Sequence, residues 1–174
     1  MKKLLVSVVM TAFVATVLFL LGLLDGSGAG GNRFVDLGNG TVRDTSTGLI
    51  WLKNTNCFGT KAWQDAMDTA ASLADGQCGL TDGSVAGDWR LPTGEEWGAL
   101  LDTNYHSPAL SNAAGTGQWS EGDAFINVQS SYYWSSTTSE AHTDYAWYAF
   151  MQSGQVRIRT KTYSLYVWPV RGGN

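Results

Sequence analysis

The feature that most constrains this chain is a charge-free run from Leu4 to Leu24 directly behind Lys2 and Lys3. Two lysines followed by an apolar stretch make the first two regions of an export signal, so this segment is set aside before any fold is read. Its roughly 20 residues also approach the length at which a helix spans a bilayer. Ser27-Gly28-Ala29 offers small residues at the two positions a signal peptidase reads, which would leave a mature chain starting at Gly30. If residues 1–29 are instead retained as a signal-anchor helix, the lysines hold the N-terminus in the cytoplasm. Either outcome places residues 30–174 outside the cytoplasm: secreted, on the cell surface or in the periplasm. Membrane contact is then confined to residues 4–24, as an inner-membrane anchor if they are uncleaved. No cysteine directly follows the run, which argues against a lipid anchor.

The remaining stretch of about 145 residues suits one domain and can bury a sizeable core. It contains Cys57 and Cys78 and no other cysteine. In an oxidising compartment these two are expected to form one disulfide, the alternative being two free buried thiols. Two cysteines with the distant His106 and His142 lack any zinc-ligand spacing. The formal net charge of −4 argues against a general nucleic-acid binder, which needs many phosphate contacts.

Hydrophobic periodicity outlines an α+β domain. Phe34-Val35-Asp36 and the segment after Gly38-Asn39-Gly40 read as a hairpin turning on Asn39-Gly40. Leu49 to Leu52 is a short apolar strand. Trp63, Ala66, Met67, Ala70 and Leu73 recur at helical spacing over Lys61–Ala74, with Thr60 as N-cap and Gly76 past the end. Thr93-Gly94-Glu95-Glu96 has capping-box spacing ahead of a second helix that buries Trp97, Leu100 and Leu101. Residues 102–130 show no sustained period and read as a long surface excursion. Strands then follow at Tyr132–Ser136, Tyr145–Met151, Gln155–Thr160 and Tyr166–Val170, with Ser153-Gly154 turning the middle pair into an antiparallel hairpin.

Four stretches carry a family likeness: Gly40 to Trp51 (GTVRDTSTGLIW), Trp89-Arg90-Leu91-Pro92-Thr93, Trp134-Ser135-Ser136, and Val167-Trp168-Pro169-Val170-Arg171. Together they resemble the Lcl C-terminal domain family, the C-terminal module of a bacterial collagen-like adhesin, over about residues 33–173. That resemblance implies a C-type-lectin-like fold, with two helices packed on short antiparallel sheets. The same fold hosts the variable proteins of diversity-generating retroelements, which display a changeable ligand surface. Their parallel positions here are Trp134-Ser135-Ser136, Ala146-Trp147, Phe150, Gly154-Gln155-Val156 and Val167 to Arg171, with Trp168 standing where Arg is commoner. The Glu-Pro-Asn or Gln-Pro-Asp motif of calcium-dependent sugar-binding lectins does not occur. The free reactive cysteines of formylglycine-generating enzymes are not expected either.

The leading site candidate is Gln155–Lys161. Val156 and Ile158 alternate with Arg157, Arg159 and Lys161, which predicts a core face and a cationic face on one strand. With Tyr163 and Tyr166 nearby, the cations form a small basic and aromatic surface. Arginine holds sulfate or carboxylate bidentately, and tyrosine stacks on sugar faces. The competing reading is a solvated edge strand whose charges deter aggregation. Loop residues His142, Asp144, Tyr145 and Gln152 form the reserve site. Trp51, Trp63, Trp97, Trp134 and Trp147 sit in apolar periodic contexts and are expected in the core. Asp82 and Asp88 flank a glycine loop that could offer oxygens to calcium, although a turn stabilised by aspartate-backbone bonds explains them better. No other cofactor or metal is implied.

No nucleophile, base and orienting group can be assembled from these residues, and Glu95-Glu96 suits a helix start rather than acid–base work. The expected function is therefore an exported, adhesin-type binding module rather than an enzyme. Its partner would be an extracellular glycan, anionic in character, or a protein. The rival expectation is a structural subunit of a surface assembly, a homo-oligomer packed through loop 102–130 and the apolar N-terminal segment.

Overall fold

The computed structural model describes residues 31–172, so residues 1–29, expected to be an export signal or anchor, lie outside the described residues. Nine strands and two helices follow in order: β1 (Phe34–Asp36), β2 (Thr41–Asp44), β3 (Ile50–Leu52), β4 (Thr60–Lys61), α1 (Trp63–Ala71), α2 (Gly94–Leu100), β5 (Tyr132–Thr138), β6 (Tyr145–Phe150), β7 (Gln155–Thr160), β8 (Leu165–Tyr166) and β9 (Val170–Arg171). They form an α+β domain with two sheets, ordered β1-β2-β3-β9 and β4-β8-β5-β6-β7. All pairings are antiparallel except β5 with β8.

The hairpin between β1 and β2 closes as expected. The positive φ angles fall on Gly38 and Gly40, however, and not on Asn39. Gly40 is required for a second reason, since a Cβ there would meet the carbonyl oxygen of Gly79 at 2.3 Å. β3 is wholly buried and pairs with both β2 and the terminal β9, so the two ends of the domain share one sheet.

The first helix is shorter than its periodicity predicts. Thr60 and Lys61 are drawn into β4 by pairing with Tyr166 and Leu165, so the N-cap falls on Ala62, which has no side chain to cap with. A strand pairing with distant residues thus overrides a local capping preference. α2 follows the sequence closely. Thr93 Oγ1 accepts from Glu96 N, and the Glu96 carboxylate accepts from Thr93 N, giving a complete capping box. Burial alone would raise the Glu96 pKa, but hydrogen bonds from Arg90 and Thr93 outweigh it and hold the carboxyl below its ordinary range. Arg33 closes the far end of α2 by donating to the carbonyls of Ala99 and Leu100.

Residues 102–130 are irregular, as expected, but they are not a surface excursion. Ala109, Leu110, Ala124, Phe125 and Val128 are buried in the main core. Isolated anchors without a period hold this segment down. The expected strand Tyr166–Val170 is likewise two strands. β8 joins the second sheet and β9 the first, and Val167, Trp168 and Pro169 are buried where the chain crosses between them.

Successive residues of β5 face opposite sides, and they divide the core accordingly. Tyr133 joins the cluster around Trp51, Trp97, Phe125 and Trp168, which fills the space between the first sheet and α2. Trp134 joins Ala66 and Ala70 of α1 with Ala146, Tyr148 and Leu165. The second sheet therefore has an α1 side and an α2 side. The Trp97 indole of the first cluster donates to the Trp134 carbonyl of the second, and the Trp134 indole donates to the Lys61 carbonyl of β4.

Cys57 and Cys78 are joined in a disulfide, with their Cα atoms 5.7 Å apart.

Candidate binding surface

β7 is the outer strand of its sheet and pairs only with β6, Tyr148 lying opposite Arg157 and Ala146 opposite Arg159. Arg157 and Arg159 thus stand on the α1 side, beyond the reach of α1 itself. Phe150, Tyr148 and Tyr132 continue that side inward, the Tyr132 ring lying 4.7 Å from Phe150 and 5.3 Å from Tyr148. The Arg159 guanidinium stacks 3.9 Å above the Tyr163 ring and lies 5.4 Å from Tyr132. Among the described residues, neither Arg157 nor Arg159 has a carboxylate within 4.0 Å.

Lys161 lies at the end of the row but is already engaged. Its ammonium sits 4.0 Å over the Trp63 ring and donates to Thr138 Oγ1 and the Thr143 carbonyl. Tyr166 does not belong to this surface. It lies on the α2 side, with its ring 5.3 Å from Tyr133, because β8 pairs with β5 in the register that sets Tyr166 beside Tyr133.

The reserve residues do not converge. His142 and Asp144 are exposed in the β5–β6 loop, and Tyr145 begins β6 with its ring 5.5 Å from His142. Gln152 occupies the turn at the other end of β6, where its carbonyl accepts from Ser107 N. A six-residue strand of roughly 17–20 Å separates the two groups.

The apolar half of the β7 alternation departs from expectation. Val156 is half-buried, but Ile158 is 37% exposed, as is Trp147 opposite it at 36%. Neither is core, because α2 ends its cover at Gly94 beside Trp147 and Val156. Trp51, Trp97 and Trp134 are buried as expected. Trp63 is half-buried, with its indole N–H donating to the Ser135 carbonyl.

Sequence reasoning missed Tyr132, Tyr148 and Trp63 beside the cations, and named Phe150 only through the family resemblance. The available signal was the Tyr132-Tyr133-Trp134 run, since three consecutive aromatics on a strand must furnish both faces. Also unforeseen is a cleft of about 360 Å³ lined by Asp36, Gly38, Lys53, Asn54, Cys78 and Ile126. Asp36 and Lys53 pair across 2.6 Å there. Partial burial pushes the Asp36 pKa up, but the bonds from Lys53 and Gly38 N bring it below the ordinary value.

The aspartates considered for calcium are occupied within the chain. Asp82 accepts from Ser84 N and Oγ and pairs with Arg171 at 3.2 Å, and Asp88 accepts from Val85 N. They hold the loop that leads into the bridge between Arg90 and Val170.

The fold and this surface define a disulfide-bonded α+β module with one open, cationic and aromatic sheet face. The chain belongs to the Lcl C-terminal domain family, whose model matches residues 40–171. No curated protein and no solved structure matches it significantly.

Proposed function

We propose that the domain is an extracytoplasmic ligand-binding module of adhesin type, with a C-type-lectin-like arrangement, whose α1-side surface takes an anionic glycan. The observation that carries this reading is the Arg159 guanidinium stacked on Tyr163, beside Arg157, with no acidic partner for either. A guanidinium held 3.9 Å over an aromatic ring and without an acidic partner has N–H groups available for a sulfate or carboxylate. Tyr132, half-buried beside it, offers an aromatic ring to the sugar. Family membership and the Cys57–Cys78 disulfide support a module working in an oxidising compartment outside the cytoplasm.

Binding rather than catalysis is the reading favoured by the acid–base candidates. Glu96 is committed to Arg90 and the α2 cap, and His106 and His142 stand exposed in loops. The test is binding of the purified protein to sulfated polysaccharides across a salt series. Tight binding that fades with salt and is lost in the Arg157→Glu, Arg159→Glu double variant is expected. Salt-independent binding, or full retention by the double variant, would remove the surface from consideration.

A further inference from the structure

β7 has a second property that its arginines do not exhaust. No described strand pairs with its outer edge, so Val156 and Ile158 leave their backbone N–H and C=O groups unpaired, whereas the Thr160 carbonyl already accepts from Tyr163 N. On the α2 side of that edge, Ile158 lies directly across from Trp147, and both are more than a third exposed. Six of the eight indoles donate to protein acceptors, and that of Trp51 is buried. Among the described residues, the Trp147 N–H has no protein acceptor. The edge therefore combines a hydrogen-bonding template, an apolar shelf on one side and two unpaired cations on the other.

We infer that β7 is a docking edge for an extended acidic peptide segment, which adds to the sheet as a sixth strand. The required sequence follows from the alternation of side chains. Residues of the incoming strand opposite Arg157 and Arg159 lie on the α1 side and should be Asp or Glu. The residue between them, opposite Ile158, lies on the α2 side and should be apolar, covering Ile158 and reaching toward Trp147. The recognised pattern is acidic, apolar, acidic. A second copy of β7 is a poor occupant, because antiparallel self-pairing centred on Ile158 places Arg157 of each copy opposite Arg159 of the other. Like charges thus guard the edge against its own kind while leaving it open to a strand of opposite charge. This proposal shares Arg157 and Arg159 with the glycan surface but depends on Trp147, Ile158 and the backbone edge, which that surface does not use.

The test is calorimetric titration of the purified full chain with an acetylated, amidated hexapeptide alternating Glu and Val. Binding of the alternating peptide at least tenfold tighter than a block peptide of three Glu followed by three Val is expected. Equal affinity for the two would reduce the edge to simple charge attraction and overturn the proposal. N-methylation of alternate peptide amides should abolish binding in one of the two alternation phases only, and unchanged binding of both methylated peptides would also overturn it. Trp147→Ala should weaken the alternating peptide about tenfold and leave sulfated-polysaccharide binding intact. Trp147 is not part of the glycan surface, so loss of the peptide with retention of the polysaccharide distinguishes failure of the edge from failure of that surface. The Arg157→Glu, Arg159→Glu double variant should transfer preference to a peptide alternating Lys and Val. Persistence of the original preference in that variant would refute the charge assignment.

Discussion

Trp168, close to the C-terminal end of the domain, donates its indole N–H to the carbonyl of Leu52 at 2.8 Å and packs edge-on against Trp51 at 5.3 Å. These contacts tie residues 116 positions apart and bring Trp168 against Phe125, Trp97 and Tyr133 as well. The indole is fully buried. Trp168→Ala is therefore expected to cost about 3–5 kcal/mol, through lost burial, a cavity and an orphaned carbonyl. Deleting residues 166–171 removes β9 and half of β8 and should abolish cooperative unfolding altogether. A thermal melt of each variant reads the outcome, and a sharp transition in the truncated chain would contradict it.

The disulfide ties the loop after β3 to the loop after α1, across a separation of 21 residues. In the chain-entropy treatment, a link of that length stabilises by about 3 kcal/mol through the unfolded state. The Cys57→Ala, Cys78→Ala double variant should lose about that much in denaturant unfolding. Both sulfurs pack against the main core, so Cys57→Ser or Cys78→Ser should cost more than the corresponding alanine.

Tyr133 supplies a prediction in alkali. Burial raises its phenol pKa to about 12, opposed by bonds with Thr55 and the Gln129 N–H. The unfolded chain ionises near the ordinary value of 10 while the folded chain stays neutral. Stability from this group is thus complete below pH 10 and declines as pH rises toward 12, by up to about 2–3 kcal/mol. Tyr133→Phe should lose about 1–2 kcal/mol at neutral pH, because Gln129 N loses its acceptor, and should show a shallower alkaline decline. Denaturant midpoints measured between pH 7 and 11 check both effects.

Elements governed by local chemistry were legible in the sequence. The Thr93 and Glu96 capping box, the Ser153-Gly154 turn and the β5 to β7 strands depend on neighbours within a few positions, and all are found where the residues put them. What was not legible depends on what covers what. Alternation in β7 states that Val156 and Ile158 share a side, but it carries no information on whether α2 extends over that side. Trp147 is exposed for the same reason. Phe125 is buried within a segment that has no period at all, because a single anchor leaves no recurring signal. The candidate surface was legible as a row of cations, whereas the aromatic residues beside it, Tyr132 and Phe150, required the β5–β6 register.

The last prediction separates charge from geometry at Arg159. Lysine at this position keeps the positive charge but loses the planar fork and the guanidinium contact over Tyr163. If the glycan surface works through electrostatic attraction alone, Arg159→Lys should bind sulfated polysaccharide as the parent does. The stacked arrangement, 3.9 Å from Tyr163 and 5.4 Å from Tyr132, implies instead that the guanidinium is pre-oriented for a bidentate anion. Arg159→Lys should then weaken binding by on the order of 1 kcal/mol while the salt dependence stays unchanged, because the number of neutralised charges is the same. Tyr163→Leu should weaken binding similarly, because the guanidinium loses its platform, whereas Tyr163→Phe should retain most of it. Stability should fall by no more than about 1 kcal/mol in any of the three, since this contact is only partly shielded from water. Affinity measured at two ionic strengths decides the matter: parental affinity in Arg159→Lys would leave only a diffuse positive patch.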